Sequence, residues 1–372
     1  MINFVQLKRF DAILFILMVL LIVFGLVIQY SLSLAVEGES TGNFSKQCIF
    51  ALIGLILFLF VFLTDFRFVR SSAYIIYLLT ILLLIGVLFF GQIFRGVQGW
   101  LSFGFFNFQP AELAKLTAII ILAKFWQEAR LPVRLKHLLI SFVLILPLIF
   151  LIILQPDLGS ALMIIILWFG ILFLVDKNKK HFISILIIFI LIASSAWLYF
   201  LTDTQKGRIS TYLNPQGDPL GRGYQITQSI IAIGSGQVVG RGFGLGPQSQ
   251  LRFLPAGETD FIFAVLAEEF GFIGCLLLLG IYAGFFYRLI RLARTVYDNF
   301  GLILILGTTL SIFFQAFINI GMNIGLLPVV GVPLPFVSYG GSSLLISMIS
   351  IGLVESVVTH QPFTKYDDMI SL

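Results

Sequence analysis

The chain has 372 residues, of which 59% are hydrophobic and 11% charged, and its formal net charge is +5. This composition excludes a water-soluble globular domain, because so many apolar side chains cannot be hidden in one water-facing core. We expect an integral membrane protein surrounded by membrane lipid, with no nucleic acid among its partners.

Long apolar runs such as residues 12–28 indicate the type of membrane structure. A transmembrane β-barrel alternates apolar and polar residues in short segments, whereas continuous apolar runs are typical of spanning helices. The predicted fold class is therefore all-α, a polytopic transmembrane helical bundle. The first run follows Lys8 and Arg9 and is too long for the core of a signal peptide, so we interpret it as a retained span.

About ten spans are predicted, within a single transmembrane domain that covers residues 1–372. They lie near residues 11–34, 47–64, 71–91, 110–126, 137–154, 158–175, 181–201, 260–286, 300–322 and 339–358. An even number of spans places both termini on one side of the membrane. The loops on that side carry most of the lysines and arginines, so the positive-inside rule predicts that both termini are cytoplasmic.

The cysteines and histidines predict neither a disulfide framework nor a metal site. Cys48 and Cys275 lie inside apolar runs, which favours a packing role. His137, His181 and His360 lie far apart at span ends without a nearby cysteine, and we predict no metal ligands among them.

One loop, residues 202–259 between spans 7 and 8, is too long for a simple connector, and the predicted topology makes it extracytoplasmic. Isoleucines at 226, 230 and 233 share one helical face, which favours an interfacial or re-entrant helix over residues 224–233. The glycine-rich run 234–246 follows, and its backbone could approach a ligand closely. Its glycine spacing excludes a dinucleotide-binding or P-loop fingerprint.

Asp260 stands where this loop enters span 8, directly after Thr259. In one interpretation Thr259 caps the helix and the helix dipole favours Asp260 in the first turn, which is an ordinary capping pair. In the other, the apolar boundary raises the pKa of the carboxyl group and makes it a suitable general base. The basic, glycine-rich loop before Asp260 favours the second interpretation.

Four ionisable residues are predicted inside spans. Glu112 and Lys115 share one helical face, and Glu268 and Glu269 lie about 12 to 14 Å deeper than Asp260. An ionised group at the bilayer centre costs about 2.5 to 3.5 kcal/mol, so each needs a partner, water or a proton. We predict Lys115 as the partner of the two deeper glutamates. A structural ion network and a role in substrate binding both remain open.

Several helix starts at the predicted outer face are polar, and their backbone N–H groups suit anions such as phosphate. They comprise the junction before span 4, Gln155-Pro-Asp157 before span 6, and residues 338–343 at the start of span 10. Each could equally be an ordinary turn. The candidate substrate-binding residues at these junctions are Gln109, Asp157, Ser338, Tyr339 and Ser342.

Five ordered segments carry a resemblance to a known family. They are Phe108-Gln-Pro-Ala-Glu-Leu, Gln155-Pro-Asp-Leu-Gly, Asn214-Pro-Gln-Gly-Asp-Pro-Leu-Gly, Thr259-Asp-Phe-Ile-Phe-Ala-Val-Leu-Ala-Glu-Glu and Pro335-Phe-Val-Ser-Tyr-Gly-Gly-Ser-Ser. Over nearly its whole length the chain resembles the SEDS family of bacterial membrane proteins, the RodA and FtsW group of cell-wall glycosyltransferases. The segment Leu327-Pro-Val-Val-Gly-Val-Pro-Leu-Pro is more similar to the elongation member RodA than to the division member FtsW.

The resemblance implies a peptidoglycan glycosyltransferase that polymerises lipid II into glycan strands at the outer face of the bacterial cytoplasmic membrane. It implies a class B penicillin-binding protein as the cross-linking partner, beside other membrane proteins of the elongation complex. The family's essential aspartate corresponds to Asp260, which would act as the base. Cationic groups of the long loop would steady the departing lipid diphosphate. These are Arg208, Arg222, Arg241 and Arg252.

Two positions depart from the family pattern. Gly99 stands where relatives usually have arginine, and Arg95 is the candidate replacement. Ala256 stands where relatives tend to have glutamate, and Glu258 follows two residues later. The sequence contains no metal motif, although a divalent cation such as Mg²⁺ or Mn²⁺ bridging Asp260 and a diphosphate is chemically reasonable.

Two other functions remain as alternatives. A lipid II flippase or another ten-span transporter is suggested by the charged residues inside the spans. A purely structural scaffold for cell-wall enzymes would make the long loop a docking surface and Asp260 a helix cap.

Overall fold

A computed structural model describes residues 9–34, 40–94, 96–104, 106–128, 133–176, 178, 181, 183, 187, 206–207, 211–212 and 222–361. This part of the chain is mostly helical, which confirms the predicted helical membrane bundle. Its longer helices in the first half are α1 (Ala12–Leu34), α2 (Ser40–Leu63), α4 (Ala73–Phe90), α5 (Pro110–Glu128), α6 (Leu135–Leu154) and α7 (Leu158–Val175), with a short α3 (Phe66–Ser71) between α2 and α4.

The second half contains a shorter helix and three long ones. These elements are α8 (Arg222–Gly236), a single turn α9 (Pro247–Gln250), α10 (Ile262–Ala293), α11 (Asn299–Asn323) and α12 (Gly341–Thr359). The shorter helix α8 packs on two of the three long ones, α10 and α11. The predicted helix 224–233 is thus confirmed as a helix, and it extends by a few residues at each end.

Within the described residues, eight helices are long and apolar enough to cross a membrane. Helix α5 is not among them, because it carries Glu112, Lys115, Lys124 and Glu128. It is nevertheless buried along most of its length and packs against α4, α7 and α11. The predicted span 181–201 lies almost entirely outside the described residues, so the number of spans stays a prediction.

A small antiparallel sheet was not predicted from the sequence. Its strands β1 (Gln92–Phe94), β2 (Val97–Ser102) and β3 (Asn107–Phe108) pair in chain order between α4 and α5. The segment has no long apolar run, and its glycines at 91, 96, 99 and 104 act as breaks between short extended pieces. The pairing satisfies backbone N–H and C=O groups that would otherwise lack these partners.

The two ends of the bundle are distinguished by their polar contacts. At one end Arg288 on α10 forms an ion pair with Asp11 before α1, and Arg70 forms one with Asp298 before α11. At the other end Asn43 donates to Glu258, and Gln47 donates to the carbonyl of Ser338. The first end gathers the arginines that the positive-inside rule assigns to the cytoplasm, and the second end carries Asp260.

Candidate functional site

Asp260 lies in a series of turns just before α10, which begins at Ile262. Its backbone is held on both sides. The N–H of Asp260 donates to the carbonyl of Ala256, and its own carbonyl accepts from the side-chain amides of Asn319 and Asn323, each at 2.9 Å. Both asparagines are fully buried near the end of α11. The fold therefore fixes the position from which the Asp260 side chain projects.

The predicted capping pair is wrong in its details. Phe261 occupies the N-cap position of α10, and the hydroxyl of Thr259 donates to the carbonyl of Ala256. Asn323 provides an acceptor for the first turn instead, since its Oδ1 accepts from the N–H of Ala264 at 3.1 Å. A residue distant in sequence thus stabilises the helix start, and sequence spacing alone could not reveal it.

Ser338 and Tyr339 pack directly against the residues before Asp260. The Ser338 hydroxyl donates to the Thr259 carbonyl at 2.5 Å, and the Tyr339 N–H donates to the Glu258 carbonyl at 2.8 Å. Burial, and secondarily the negative charge of Glu258, raises the pKa of the Tyr339 phenol. Its hydroxyl therefore remains a neutral hydrogen-bond donor at physiological pH.

Two amide side chains of α2 complete this cluster. Asn43 donates to the Glu258 carboxylate at 2.7 Å. Gln47 donates to the Ser338 carbonyl and accepts from the Gly340 N–H. Sequence reasoning missed Asn43, Gln47, Asn319 and Asn323. The available signal was the position of these uncharged amides at the ends of otherwise apolar helices, where a buried amide requires partners.

The Asp260 side chain is half-buried and borders the segment between α11 and α12. A Cβ placed on Gly331 would lie 3.9 Å from Asp260 Oδ2, and Gly331 has a φ of +72°. The same segment contacts the start of α7, since a Cβ on Gly159 would lie 2.6 Å from the Val330 carbonyl. Residues 330 and 331 therefore separate the Asp260 carboxylate from the polar junction before α7.

That second junction joins Gln109, Asp157 and Ser342, as the sequence had suggested for the outer face. Gln109 donates from its amide to Asp157 Oδ2 at 3.1 Å and from its backbone to the Ser342 hydroxyl at 2.9 Å. Asp157 also caps α7 by accepting from the backbone and hydroxyl of Ser160. The predicted junction residues thus lie in two clusters, which the α12 start connects.

Glu112 and Lys115 form a buried ion pair at 2.8 Å, which confirms that they share one face of α5. They border a small cavity that α11 and α12 line with hydroxyl and amide groups. Within the described part of the chain, Thr308 Oγ1 and Gln315 Oε1 are among the buried atoms without a hydrogen-bond partner. This polar cavity lies inside a helical bundle, where unpaired polar atoms are costly.

The predicted pairing of Lys115 with Glu268 and Glu269 is wrong. Glu268 accepts from the backbone N–H groups of Gln248 and Ser249, at 2.8 and 3.0 Å. Glu269 accepts from the Ser31 hydroxyl and from the Gln250 amide. The long loop folds back onto α10 and brings its own donors to these carboxylates, so no lysine is needed there.

The glycine-rich run approaches α10 closely. Helix α10 is broken at Gly271, where φ is +63°. The N–H groups of Arg241 and Gly242 donate to the carbonyls of Glu268 and Glu269, whereas Phe272 and Ile273 donate to the carbonyls of Gln237 and Val238. Any Cβ on Gly236 or Gly240 would collide with the backbone of α10. The glycines therefore permit this backbone contact.

The family is decided by comparison with known sequences. The family model for FtsW, RodA and SpoVE, described as "Cell cycle protein", matches residues 11–362. The chain belongs to this family. The SEDS resemblance read from the five motifs is therefore confirmed, and the chain is a multi-pass membrane protein of this kind.

Relatives and solved structures in this family are similar over most of the chain. Peptidoglycan glycosyltransferase MrdB of Escherichia coli K12 is 38% identical over 343 residues, which cover 92% of this chain and 93% of MrdB. The probable peptidoglycan glycosyltransferase FtsW of Haemophilus influenzae is 35% identical over 359 residues, covering 93% of this chain and 89% of FtsW. These relatives support the predicted glycosyltransferase class.

Two solved structures share the fold. RodA of Thermus thermophilus superposes with a TM-score of 0.71 at 28% identity, covering 95% of this chain and 98% of that one. A chain from a peptidoglycan synthase complex that coordinates polymerization and crosslinking gives a TM-score of 0.79 at 31% identity, covering 95% of this chain and 99% of its own.

Only some of the arginines predicted to steady the lipid diphosphate have side chains among the described residues. The guanidinium groups of Arg241 and Arg252 lie on exposed residues of the loop, whereas Arg208 and the side chain of Arg222 lie outside the described residues. The backbone of Arg241 bonds to Glu268, eight residues along the chain from Asp260 and therefore about 12 Å deeper on α10. Arg252 precedes the turns that lead to Asp260 and is the nearer of the two along the chain.

The two departures from the SEDS pattern occupy specific backbone positions. Ala256 has a φ of +59°, and its carbonyl accepts from the N–H groups of Thr259, Asp260 and Phe261. Gly99 lies in β2, where a Cβ would be 3.9 Å from the Gln109 amide. Arg95, the candidate replacement, lies outside the described residues.

Metal ligands are sparse around Asp260. Across the described ranges, no group of three or more histidine, cysteine, aspartate or glutamate side chains could hold a metal ion. The nearby Glu258 carboxylate accepts from Asn43. A divalent cation beside Asp260 would therefore take most of its ligands from a bound diphosphate and water.

Proposed function

We propose that this chain polymerises lipid II into glycan strands at the outer face of the bacterial cytoplasmic membrane during cell elongation, with Asp260 as the general base. The observation that carries the proposal is a half-buried carboxylate at a helix start whose backbone is held by two buried amides. The names and similarity of the relatives support the reaction type.

The reaction assigns one proton transfer to Asp260. The carboxylate accepts the proton of the acceptor sugar hydroxyl as the hydroxyl oxygen attacks the anomeric carbon of the donor. The bond between that carbon and the lipid diphosphate breaks, and the diphosphate leaves with the bonding electrons. Attack from the face opposite the leaving group inverts the anomeric configuration.

The geometry around Asp260 suits this step because the backbone that carries the base is already held in place before the reaction. Its backbone carbonyl bonds to Asn319 and Asn323, and the preceding residues bond to Ser338 and Tyr339. A base on a backbone that is already held needs little reorganisation when charge develops. Ser338 and Tyr339 thus act by holding the segment that carries the base.

The departing diphosphate requires positive charge or N–H donors. Arg252 is exposed near the turns that lead to Asp260, and Arg241, Arg208 and Arg222 belong to the same loop. Gln109, Asp157 and Ser342 form the neighbouring junction, beyond residues 330 and 331, and we assign them to sugar or diphosphate recognition. When bound, a divalent cation such as Mg²⁺ would add charge neutralisation at the diphosphate.

We also propose the partner and the orientation. A class B penicillin-binding protein would cross-link the glycan strands, together with other membrane proteins of the elongation complex. The similar chain from a peptidoglycan synthase complex supports this assignment. Both termini would be cytoplasmic, because the arginine-rich turns lie at the end of the bundle opposite Asp260.

Glycan synthesis from purified lipid II tests the role of Asp260. The wild-type chain is expected to yield polymer when supplied with its penicillin-binding partner, and Asp260→Ala is expected to yield none. Asp65→Ala is the matched control, since Asp65 is a partly exposed turn aspartate at the opposite end of the bundle. Polymer from Asp260→Ala would remove this carboxylate from the chemistry.

A flippase is the second candidate, because the cavity beside Glu112 and Lys115 places polar groups inside the bundle. Proteoliposomes that carry fluorescent lipid II distinguish the two functions. Transfer of lipid II between leaflets without any polymer would favour the flippase, and polymer without transfer would exclude it.

A further inference from the structure

The segment between α4 and α5 has an unusual composition for a connection outside the membrane core. Residues 91–108 contain six aromatic residues and a single charged residue, Arg95. A loop that faces water is normally polar, because exposed aromatic side chains order water without compensation. This segment contains the three short strands, and it is called here the aromatic hairpin.

The aromatic hairpin exposes its large side chains rather than burying them. Ile93, Phe94 and Phe103 are between 58% and 72% exposed, and Phe89 and Phe90 at the end of α4 are 75% and 80% exposed. Earlier residues of α4 such as Leu78, Leu79 and Leu82 are also exposed, as expected for a face that contacts lipid tails. The exposed apolar surface therefore continues from the spanning helix onto the hairpin.

Hydrogen bonds hold the hairpin against that helix end, and a ring contact joins two of its own strands. The Gln98 side chain donates to the carbonyl of Leu88 in the last turn of α4 and to that of Gly91, the C-cap of this helix. Phe94 also contacts Trp100 edge-on, with ring centroids 5.7 Å apart. The contacts hold the exposed side chains at the level where α4 leaves the hydrocarbon core, and tryptophan, the residue type of Trp100, is enriched at that level in membrane proteins.

We propose that the aromatic hairpin is an interfacial anchor that inserts Ile93, Phe94 and Phe103 into the lipid leaflet on the Asp260 side of the membrane. The occupant of this apolar surface is lipid, because the surface is continuous with the lipid-contacting face of α4 and carries almost no charge. The chemistry is that of an interfacial segment whose apolar residues reach the boundary between head groups and acyl chains.

The aromatic hairpin is connected to the polar junction formed by Gln109, Asp157 and Ser342. At its far end the Asn107 carbonyl accepts from the Ser342 hydroxyl, and the next helix begins after Gln109, which bonds to both Ser342 and Asp157. The depth of the hairpin in the leaflet therefore sets the height of Gln109 and Asp157 relative to the membrane surface. This places the junction where the head group of a membrane-bound molecule lies.

Spin-label accessibility in nanodiscs tests the anchor on the full-length chain. Single cysteines are introduced at Ile93 and Phe103 in a Cys48→Ser/Cys275→Ser background, and each nitroxide is exposed to oxygen and to a water-soluble nickel chelate. Leu82→Cys provides the lipid-facing reference, because Leu82 is an exposed apolar residue within α4. Glu128→Cys provides the water-facing reference, because Glu128 is an exposed charged residue at the end of α5. The ratio of oxygen to nickel accessibility is expected to be several-fold higher at residues 93 and 103 than at residue 128.

An oxygen-to-nickel ratio equal to that at residue 128 would overturn the proposal, because it would place the hairpin in water. The same labels are then measured in native membranes. Exclusion of both reagents there would show that a protein partner covers the surface, which also contradicts a lipid occupant.

A second measurement does not require substitution of the exposed residues. Lipid brominated on the acyl chains is expected to quench part of the tryptophan fluorescence of the wild type, and that part is expected to decrease in Trp100→Phe. Unchanged quenching in Trp100→Phe would contradict insertion of the hairpin.

Discussion

The side-chain amide of Asn323 donates to the backbone carbonyl of Asp260 at 2.9 Å, while its own oxygen accepts from the N–H of Ala264. One buried side chain thus connects Asp260, two residues before α10, with the first turn of α10. Asn319 makes a parallel contact with Asp260 and also bonds to the Val332 carbonyl. The two asparagines hold together the segment that carries the carboxylate and the segment that faces it.

Asn323→Ala is expected to lower glycan synthesis while Asp260 itself is unchanged. The substitution removes these two hydrogen bonds, each with a net worth of about 0.5 to 1.5 kcal/mol, while the Ala264 N–H keeps the Phe261 carbonyl and the Asp260 carbonyl keeps Asn319 as partners. Polymer yield and the thermal unfolding temperature in detergent are both measured. Thr309→Ala is the control, because Thr309 is a buried residue of the same helix that bonds only within α11. Equal losses in the two variants would argue against a positioning role for Asn323.

Gly236→Ala and Gly234→Ala are expected to have opposite effects, although both glycines lie in α8. A Cβ on Gly236 would collide with the Ala267 carbonyl, whereas a Cβ on Gly234 meets nothing within 4 Å. We expect Gly236→Ala to separate α8 from α10 and to lower the unfolding temperature by several degrees. Gly234→Ala should be neutral or stabilise by about 0.5 to 1 kcal/mol. Similar unfolding temperatures would mean that the close approach of α8 to α10 does not exist.

Glu268→Gln tests the contact between the long loop and α10. Both carboxylate oxygens accept backbone N–H groups, from Gln248 and Ser249. Glutamine offers one acceptor oxygen and turns an amide NH₂ towards the second N–H, so a loss of about 1 to 3 kcal/mol in the free energy of unfolding is expected. In Glu258→Gln the oxygen can still accept from Asn43, and little change is expected there. The two variants are compared by thermal unfolding, and an unaffected Glu268→Gln would contradict this assignment.

Lys115→Met tests whether the buried ion pair is structural or functional. Removal of one partner leaves the Glu112 charge buried, at a cost of about 3 to 5 kcal/mol. Lys115→Met/Glu112→Gln removes both charges and is expected to recover much of that stability. If the double variant folds normally but makes no polymer, the pair contributes to substrate binding. Recovery of both stability and polymer would make the pair purely structural.

The helices could be predicted from the sequence because a span in lipid requires an uninterrupted apolar run that satisfies its own backbone. Helix α7 begins and ends at the predicted residues 158 and 175, and α5 begins at Pro110 as expected for proline in a first helical turn. The aromatic hairpin was missed, because short paired strands leave no periodic pattern long enough to recognise.

The site could be predicted only in part. Asp260, Ser338 and Tyr339 were recognised as polar residues at helix starts, and the structure brings them to one cluster. The partners of Glu268 could not be predicted, because its donors are backbone N–H groups of a loop about 20 residues away. Asn43 and Asn323 were missed because an amide at the end of an apolar helix signals the need for a partner but does not identify that partner.

The break at Gly271 divides α10 into a piece that begins just after Asp260 and a piece that forms an ion pair with Asp11 through Arg288. The loop bridges this break. The N–H groups of Arg241 and Gly242 donate to the piece before Gly271, and the carbonyls of Gln237 and Val238 accept from the piece after it. We expect a displacement of this loop to move the piece that follows Asp260 more than the piece that Arg288 pairs with Asp11. A protein that binds the loop would therefore be able to shift Asp260 without contacting it.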